Sequence, residues 1–134
     1  EIMDITNDYS KKYTIIKPDP DLKNNLMAFG FDIGKGWMPL LIEMLDKIQM
    51  LVNNKPEYAD VEIVQVKEKY GALCVYLNYY YTEIEELIEE YEEKSCYICE
   101  VCGEKGEIRN INNWYTALCD KHYAERLSKS LNRE

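Results

Sequence analysis

The sequence has little positive charge and lacks any long apolar run. Its 134 residues include 16 Lys and Arg against 25 Asp and Glu, which gives a formal net charge of −9. Binding to nucleic-acid backbones needs clustered Lys and Arg, so general nucleic-acid binding is not expected. No apolar run approaches the roughly 20 residues of a membrane span, and no signal-peptide pattern opens the chain. We therefore predict a protein without a membrane partner.

Histidine is the scarcest residue with a chemical role, and its position is informative. The one histidine, His122, follows Cys119 in a Cys-x-x-His pair, and Cys99 and Cys102 form a Cys-x-x-Cys pair upstream. Residues 103–118 lie between the pairs, a separation typical of zinc-ribbon and treble-clef sites. We predict that these four residues bind one structural Zn²⁺. Cys96 precedes Cys99 at the same spacing, so Cys96 and Cys99 are a rival first pair, although Gly103 favours Cys99 and Cys102.

The predicted zinc site also argues against catalysis. Four protein ligands close the coordination sphere, whereas a catalytic zinc keeps an open position. With the only histidine used as a ligand and no serine or cysteine in a nucleophile motif, we do not expect an enzyme. An odd number of cysteines, with four in metal-binding spacing, suits a reducing compartment, so we expect a cytoplasmic protein.

The clearest secondary structure before the cysteines is a helix followed by a hairpin. Apolar residues recur with helical spacing over residues 41–52, with Pro39 suited to the first turn and residues 53–56 as a stop. Residues 61–78 alternate like two strands with a turn at 69–71. If Val64, Val66, Leu73, Val75 and Leu77 face the helix, the other sheet face carries Gln65, Lys67, Cys74, Tyr76 and Asn78.

A second helix is predicted from Thr82 to Lys94. Thr82 and Glu85 have the spacing of a capping box, and apolar residues at 84, 87, 88 and 91 share one face. The remaining surface is rich in glutamate, which predicts a solvated acidic face. Its members are Glu83, Glu85, Glu86, Glu89, Glu90, Glu92 and Glu93.

These elements predict an α+β fold in which a small antiparallel sheet packs on helices and a treble-clef-like zinc module follows. We expect an α+β core over residues 1–95 and a zinc module over 96–134 packed against it. Within the module, Glu107–Arg109 and Trp114–Ala117 are the expected strands, and a final helix begins at the second ligand pair. Before the first helix, Gly30, Gly34 and Gly36 permit positive φ or a close approach by another group.

In combination, these motifs resemble a family of small phage and prophage proteins of unsettled function. The similarity covers about residues 29–123, and its elements are Gly36-Trp37, Lys67-Glu68-Lys69-Tyr70-Gly71-Ala72-Leu73, Tyr76, Cys99-x-x-Cys102-Gly103, Trp114 and Cys119-x-x-His122. Cys74 stands where the family commonly has an arginine. The resemblance implies a role in host takeover or in evasion of host defences, within the host cytoplasm.

Two functions are favoured by the sequence. Direct nucleic-acid binding is a weaker third, because it rests only on Lys121, Arg126, Lys129 and Arg133 in the last helix. The first is a nucleotide sponge that binds a small anionic ligand, with lysines on phosphate, aromatic rings on a base and an amide on its polar edge. The candidate ligand-binding residues are Trp37, Gln65, Lys67, Lys69, Tyr70 and Tyr76. The alternative is a protein-interaction module that docks on a host protein through its acidic helix and zinc hairpin. The oligomeric state cannot be read from the sequence.

Overall fold

The computed structural model describes residues 5–132, which form an α+β fold with two small antiparallel sheets packed against helices, as predicted. In chain order the helices and strands are α1 (Ile5–Lys12), α2 (Met38–Asn54), β1 (Ile63–Lys69), β2 (Ala72–Leu77), α3 (Thr82–Ser95), β3 (Glu107–Ile111), β4 (Trp114–Leu118) and α4 (Asp120–Leu131). Short 3₁₀ turns lie at Met27–Phe29, Lys35–Trp37 and Pro56–Tyr58.

Helix α2 is the centre of the main hydrophobic core. Its buried face carries Leu41, Met44, Leu45 and Ile48, and a proline stands in its first turn. The core extends from Tyr13 and Ile15 near the N-terminus to Ala117 in β4, so the chain on both sides of the cysteines contributes to one cluster. Burying this apolar surface is the main force holding the helices on the first sheet.

The first hairpin has a two-residue turn at Tyr70 and Gly71. Both residues have positive φ (53° and 88°), and Lys69 pairs with Ala72 on either side. This geometry is that of a type I′ turn, whose twist matches the twist of the strands. The N–H of Gly71 donates to Oε2 of Glu68 at 2.7 Å, which supports the turn.

A β-bulge in β1 changes which residues reach the core. The register shifts between Ile63 and Gln65, so Ile63 is buried beside Val66, whereas Val64 is only partly buried. The prediction that Val64 faces the core is wrong, because the bulge inserts one extra residue into β1. A strict alternation of apolar and polar residues does not reveal such a bulge. Beyond the bulge the predicted face is as expected, with Gln65 paired to Tyr76 and Lys67 paired to Cys74.

Both free edges of the first sheet are covered by other segments. Along β2, the N–H groups of Leu73 and Val75 donate to Ser95 Oγ (2.8 Å) and Glu92 Oε2 (2.9 Å) of α3. Along β1, the carbonyls of Val64 and Val66 accept from the N–H groups of Leu26 and Asp32. Unpaired edge groups are costly when buried and promote aggregation when exposed, so these contacts complete the sheet.

Contrary to the expectation from the sequence, the glutamates of helix α3 are not all exposed to solvent. Glu86, Glu89, Glu90 and Glu93 are exposed, but Glu92 is partly buried against β2, and burial raises the pKa of its carboxyl group. At the start of the helix no side chain caps the first turn, so the expected capping box is not formed. Glu83 instead accepts from Lys55 Nζ (2.6 Å) and Tyr58 Oη (2.9 Å).

None of the helices in the described part of the chain, residues 5–132, is both long and apolar enough to cross a membrane.

The contact between Glu92 and β2 predicts that replacing Glu92 destabilises the protein more than replacing an exposed glutamate of α3. Glu92→Ala should lower the free energy of unfolding by about 1 kcal/mol, because the N–H of Val75 loses its acceptor. Glu93→Ala is the matched control, and it should change stability little because Glu93 is exposed. The triple change Glu86→Gln, Glu89→Gln and Glu93→Gln should also be nearly neutral. Urea unfolding measures all three, and equal losses for Glu92→Ala and Glu93→Ala would contradict the assigned contact.

Candidate metal centre and adjoining groove

The first cysteine pair lies in a tight turn after α3. The N–H of Gly103 donates to the Cys99 carbonyl at 2.8 Å, and Gly103 has φ +86°, a conformation that glycine adopts without strain. The N–H of Glu100 donates to the Ala117 carbonyl at 2.9 Å, which holds this turn against β4. The turn directs the Cys99 and Cys102 thiols toward the second pair.

The second pair begins helix α4. Cys119 is its N-cap residue, and the N–H of His122 donates to Cys119 Sγ at 3.5 Å. His122 therefore lies in the first turn, beside the thiol that caps the helix. Arg109 on β3 supports this arrangement, because it donates to Asp120 Oδ1 (2.7 Å) and lies over the ring of Tyr123 (4.4 Å). A knuckle, a hairpin and a helix that together present four ligands form the predicted treble-clef-like arrangement.

The four side chains converge with the spacing of a tetrahedral metal site. Their ligand atoms all lie within 4.8 Å of one another. Cys102 Sγ lies 3.8 Å from Cys119 Sγ, and His122 Nδ1 lies 3.6 Å from Cys99 Sγ and 3.3 Å from Cys119 Sγ. Tetrahedral coordination with metal–sulfur bonds of about 2.3 Å and metal–nitrogen bonds of about 2.0 Å requires separations of about 3.8 and 3.5 Å. The cluster is therefore compatible with a bound metal ion, with Nδ1 as the histidine ligand atom.

The thiols differ in acidity because their surroundings differ. Burial opposes ionisation of Cys99, but backbone N–H groups of Cys119, Cys102 and Val101 outweigh it and lower its pKa to about 6. At Cys102 a hydrogen bond from Glu104 favours the thiolate, yet desolvation and the neighbouring thiols raise its pKa overall. Several thiolates this close together repel one another, and a cation relieves that repulsion.

Cys96 lies outside the cluster, so it is not the first ligand. Its thiol donates to the Glu92 carbonyl at 3.7 Å within the last turn of α3. The rival pair Cys96 and Cys99 is thereby excluded, and Cys99 with Cys102 is the pair that approaches Cys119 and His122.

The loop before α2 packs tightly on the metal-binding turn. The N–H groups of Gly34 and Gly36 donate to the side chain and the carbonyl of Glu100, both at 2.8 Å. Trp37 is fully buried, and its indole N–H donates to the Ile98 carbonyl at 2.9 Å. A Cβ on Gly36 would lie 2.6 Å from the N atom of Gly103 and closer still to the Cys99 carbonyl, so no other residue fits there. We call residues 34–37 and 98–103 together the clasp.

The prediction that Trp37 lines a ligand site is wrong, because Trp37 is part of the clasp. Its ring is sealed in the core and cannot be the wall of an open ligand site. It holds the start of α2 against the metal-binding turn, the commoner fate of a lone tryptophan. The glycines before it are likewise explained by a close approach of backbone.

The other five candidate ligand-binding residues fall into two groups. Gln65, Lys67 and Tyr76 share the outer face of the first sheet, where Gln65 pairs with Tyr76. Lys69 and Tyr70 lie at the hairpin turn, and they line a small pocket of about 240 Å³ together with Trp114 and Tyr115. Lys69 also interacts with the phenol of Tyr76, so it connects the two groups. The five residues therefore lie along one hairpin without sharing a single cavity, and the buried Trp37 is apart from them.

A larger groove lies between β4 and α4. It has a volume of about 630 Å³, within the range of small-molecule sites. Trp114, which is 71% exposed, stands in its wall, with Arg126 and Lys129 on the helix side. Asn112 Nδ2 donates to Ser130 Oγ at 2.8 Å across one end. We call this cavity the Trp114 groove.

The sequence contains a signal for this groove in the spacing of residues along α4, beyond the presence of basic residues there. His122, Arg126 and Lys129 are spaced i, i+4 and i+7, so they share one face of α4. Because His122 must face the other metal ligands, Arg126 and Lys129 on the same helix face lie along the hairpin of β3 and β4. Trp114 follows the Asn112-Asn113 turn, where both residues have positive φ, and it begins the strand beside that face.

Comparisons of the chain with protein-family models, with curated proteins and with solved structures gave no match.

The cluster predicts one bound metal ion per chain. Cys102→Ser should lose the ion and disorder the segment after Cys96, because metal binding and folding of such modules are coupled. Cys96→Ser is the matched control and should keep the ion. Metal analysis of protein purified without chelator measures both. The prediction fails if the parent protein carries no metal, or if the two variants lose metal equally.

The clasp predicts an unusual sensitivity at Gly36. Gly36→Ala should destabilise the fold by about 2 kcal/mol or more and weaken metal retention, because the added methyl group displaces the metal-binding turn. Lys35→Ala is the control at the exposed neighbouring position. Thermal unfolding and competition with a chelator measure the two effects. Unchanged metal affinity in Gly36→Ala would show that the clasp does not support the turn.

Proposed function

We propose that the protein is a non-enzymatic binding module with a structural zinc ion, and that it sequesters a small anionic nucleotide-type ligand. The ligand site is the Trp114 groove, in place of the sheet face suggested by the sequence.

The donor set supports zinc as the metal. Three thiolates and one imidazole at tetrahedral spacing suit Zn²⁺, which has no geometric preference of its own and binds soft sulfur ligands well. Four protein ligands leave no position for water or substrate, so the ion is structural. Its role is to hold the knuckle, the second hairpin and α4 together, since the hydrophobic cluster beneath them is small.

One observation carries the ligand proposal. An exposed tryptophan and two cations line the same cavity, which is the combination that binds a base by stacking and a phosphate by charge. Arg126 and Lys129 make no ion pair within 4 Å in the described part of the chain. Arg126 acts on Glu100 only at longer range, where its charge partly offsets the burial that raises the pKa of that carboxyl group. Trp114 is the more exposed of the two tryptophans, since Trp37 is sealed in the core.

The overall negative charge is compatible with this site. The field inside a groove depends on nearby groups more than on the net charge of the protein. Repulsion from the acidic surface disfavours long polyanions and leaves a small ligand as the preferred class. The resemblance to phage proteins suggests the setting, which is removal of a nucleotide signal in an infected host cell.

The second candidate function is docking on a host protein through α3. The observation in its favour is a row of exposed glutamates, Glu86, Glu89, Glu90 and Glu93. Within residues 5–132, only Glu90 of these four forms an ion pair, with Lys94. Co-purification of one basic protein, lost on changing Glu86, Glu89 and Glu93 to Gln, would favour it.

Titration with nucleoside monophosphates and triphosphates tests the primary proposal. Binding should quench the fluorescence of Trp114, because the buried Trp37 is shielded from the ligand. Arg126→Ala should weaken binding by roughly 10- to 100-fold, the equivalent of one charge-assisted hydrogen bond. Lys121→Ala, on an exposed position of the same helix that does not line the groove, should not. Calorimetry gives the affinities, and no binding at millimolar concentrations would rule out the sponge.

A further inference from the structure

The Trp114 groove continues into two neighbouring cavities. A middle cavity of about 350 Å³ shares Trp114, Thr116 and Arg126 with the groove. It also shares Trp114 and Glu68 with the small cavity at the first hairpin turn. The shared lining residues place the three cavities side by side around Trp114, from Lys129 on α4 to Tyr70 at the turn. We call the three together the extended groove.

The far end of the extended groove has a second aromatic surface. Tyr70 is 74% exposed and Tyr115 is 41% exposed, and both line the small cavity with Lys69. Tyr70 is held on the type I′ turn, where Gly71 lies against the side chain of Ile108 in β3. Its ring is thus presented toward the second hairpin from a fixed backbone position. Trp114 also lines this small cavity, so two exposed rings on neighbouring hairpins are available to two stacked groups.

Each of the three cavities has at least one cation in its lining. Lys129 and Arg126 line the first cavity, Lys35 joins Arg126 in the middle cavity, and Lys69 lies at the far end. Two carboxylates, Glu68 and Glu100, line the middle cavity, and each has one oxygen engaged by a backbone N–H, of Gly71 and Gly34 respectively. Four cations against two acids give the extended groove a positive balance in a protein whose net charge is −9.

We propose that the extended groove binds two nucleobases joined by a phosphate linkage. One base stacks on Trp114 and the other on Tyr70, and the linking phosphate lies by Arg126 and Lys35 in the middle cavity. This inference rests on the proposed function and specifies its ligand. The same chemistry occurs in a free dinucleotide and in a short stretch of single-stranded nucleic acid, and stacking on aromatic rings serves both.

The test compares thymidine monophosphate, the dinucleotide pTpT and a six-residue oligothymidylate by calorimetry on the full chain. The dinucleotide should bind at least roughly tenfold more tightly than the mononucleotide, the gain expected from stacking one further base. Tyr70→Asn should abolish that gain, so that the dinucleotide and the mononucleotide bind about equally tightly. Asparagine is chosen because it tolerates the positive φ of this position. Tyr80→Asn, at an exposed tyrosine on none of the three cavities, is the matched control.

The outcomes separate the two proposals. The proposal of a two-base site is wrong, while the proposed function stands, in either of two cases. The dinucleotide binds no more tightly than the mononucleotide, or it still binds more tightly in Tyr70→Asn. If none of the three ligands binds, both are wrong. If the six-residue strand binds no more tightly than the dinucleotide, the ligand is a free dinucleotide. If it binds more tightly, the ligand is single-stranded nucleic acid.

Discussion

The clasp is the interaction on which the remaining architecture depends. It joins the start of α2, the central helix of the core, to the turn that carries two of the four metal ligands. Two glycines let the backbones meet, and the Trp37 indole closes the contact from inside the core. Because one contact serves both regions, the metal centre and the hydrophobic core stabilise each other. Neither the position of α2 nor that of the metal-binding turn is set by its own segment alone.

A second constraint arises because each sheet has only two strands. A two-stranded hairpin is marginal in water, so the first sheet depends on the groups that cover its edges. Ser95 and Glu92 serve β2 from a helix, while Leu26 and Asp32 serve β1 from a loop. The second sheet is stabilised by Arg109, whose side chain donates a hydrogen bond to the Leu118 carbonyl, and by the metal ligands at its end. Side chains of α3 and the backbone of residues 26–32 thus take the place of further strands beside the first sheet.

Some of this architecture can be predicted from local patterns in the sequence. The ligand set follows from the spacing of Cys99, Cys102, Cys119 and His122, and helix α2 follows from its apolar period. The first hairpin turn follows from a glycine between two alternating segments. These features depend on residues that are close in the chain, which is why one sequence is enough to find them.

Other features depend on contacts between distant segments. The bulge at Val64 is set where the first sheet meets residues 26–32, so the alternation alone gave the wrong core residue. The sequence allows Trp37 to be either a ligand-stacking ring or a core residue, and the contact with Ile98 decides for the core. The role of Glu92 was hidden among similar glutamates. The groove at Trp114 was hidden because its walls come from a strand and a helix that meet only after the metal ligands converge.

The clasp also has a consequence for the order of events during synthesis. The Trp37 indole and its Ile98 acceptor are 61 positions apart, and the last metal ligand lies further on, at His122. Contacts of such long sequence separation form late, because the intervening chain must first be closed into a loop. A nascent chain that ends before Ile98 lacks the hydrogen-bond acceptor of its largest core side chain. The final third must therefore leave the ribosome before the first third can reach its finished packing.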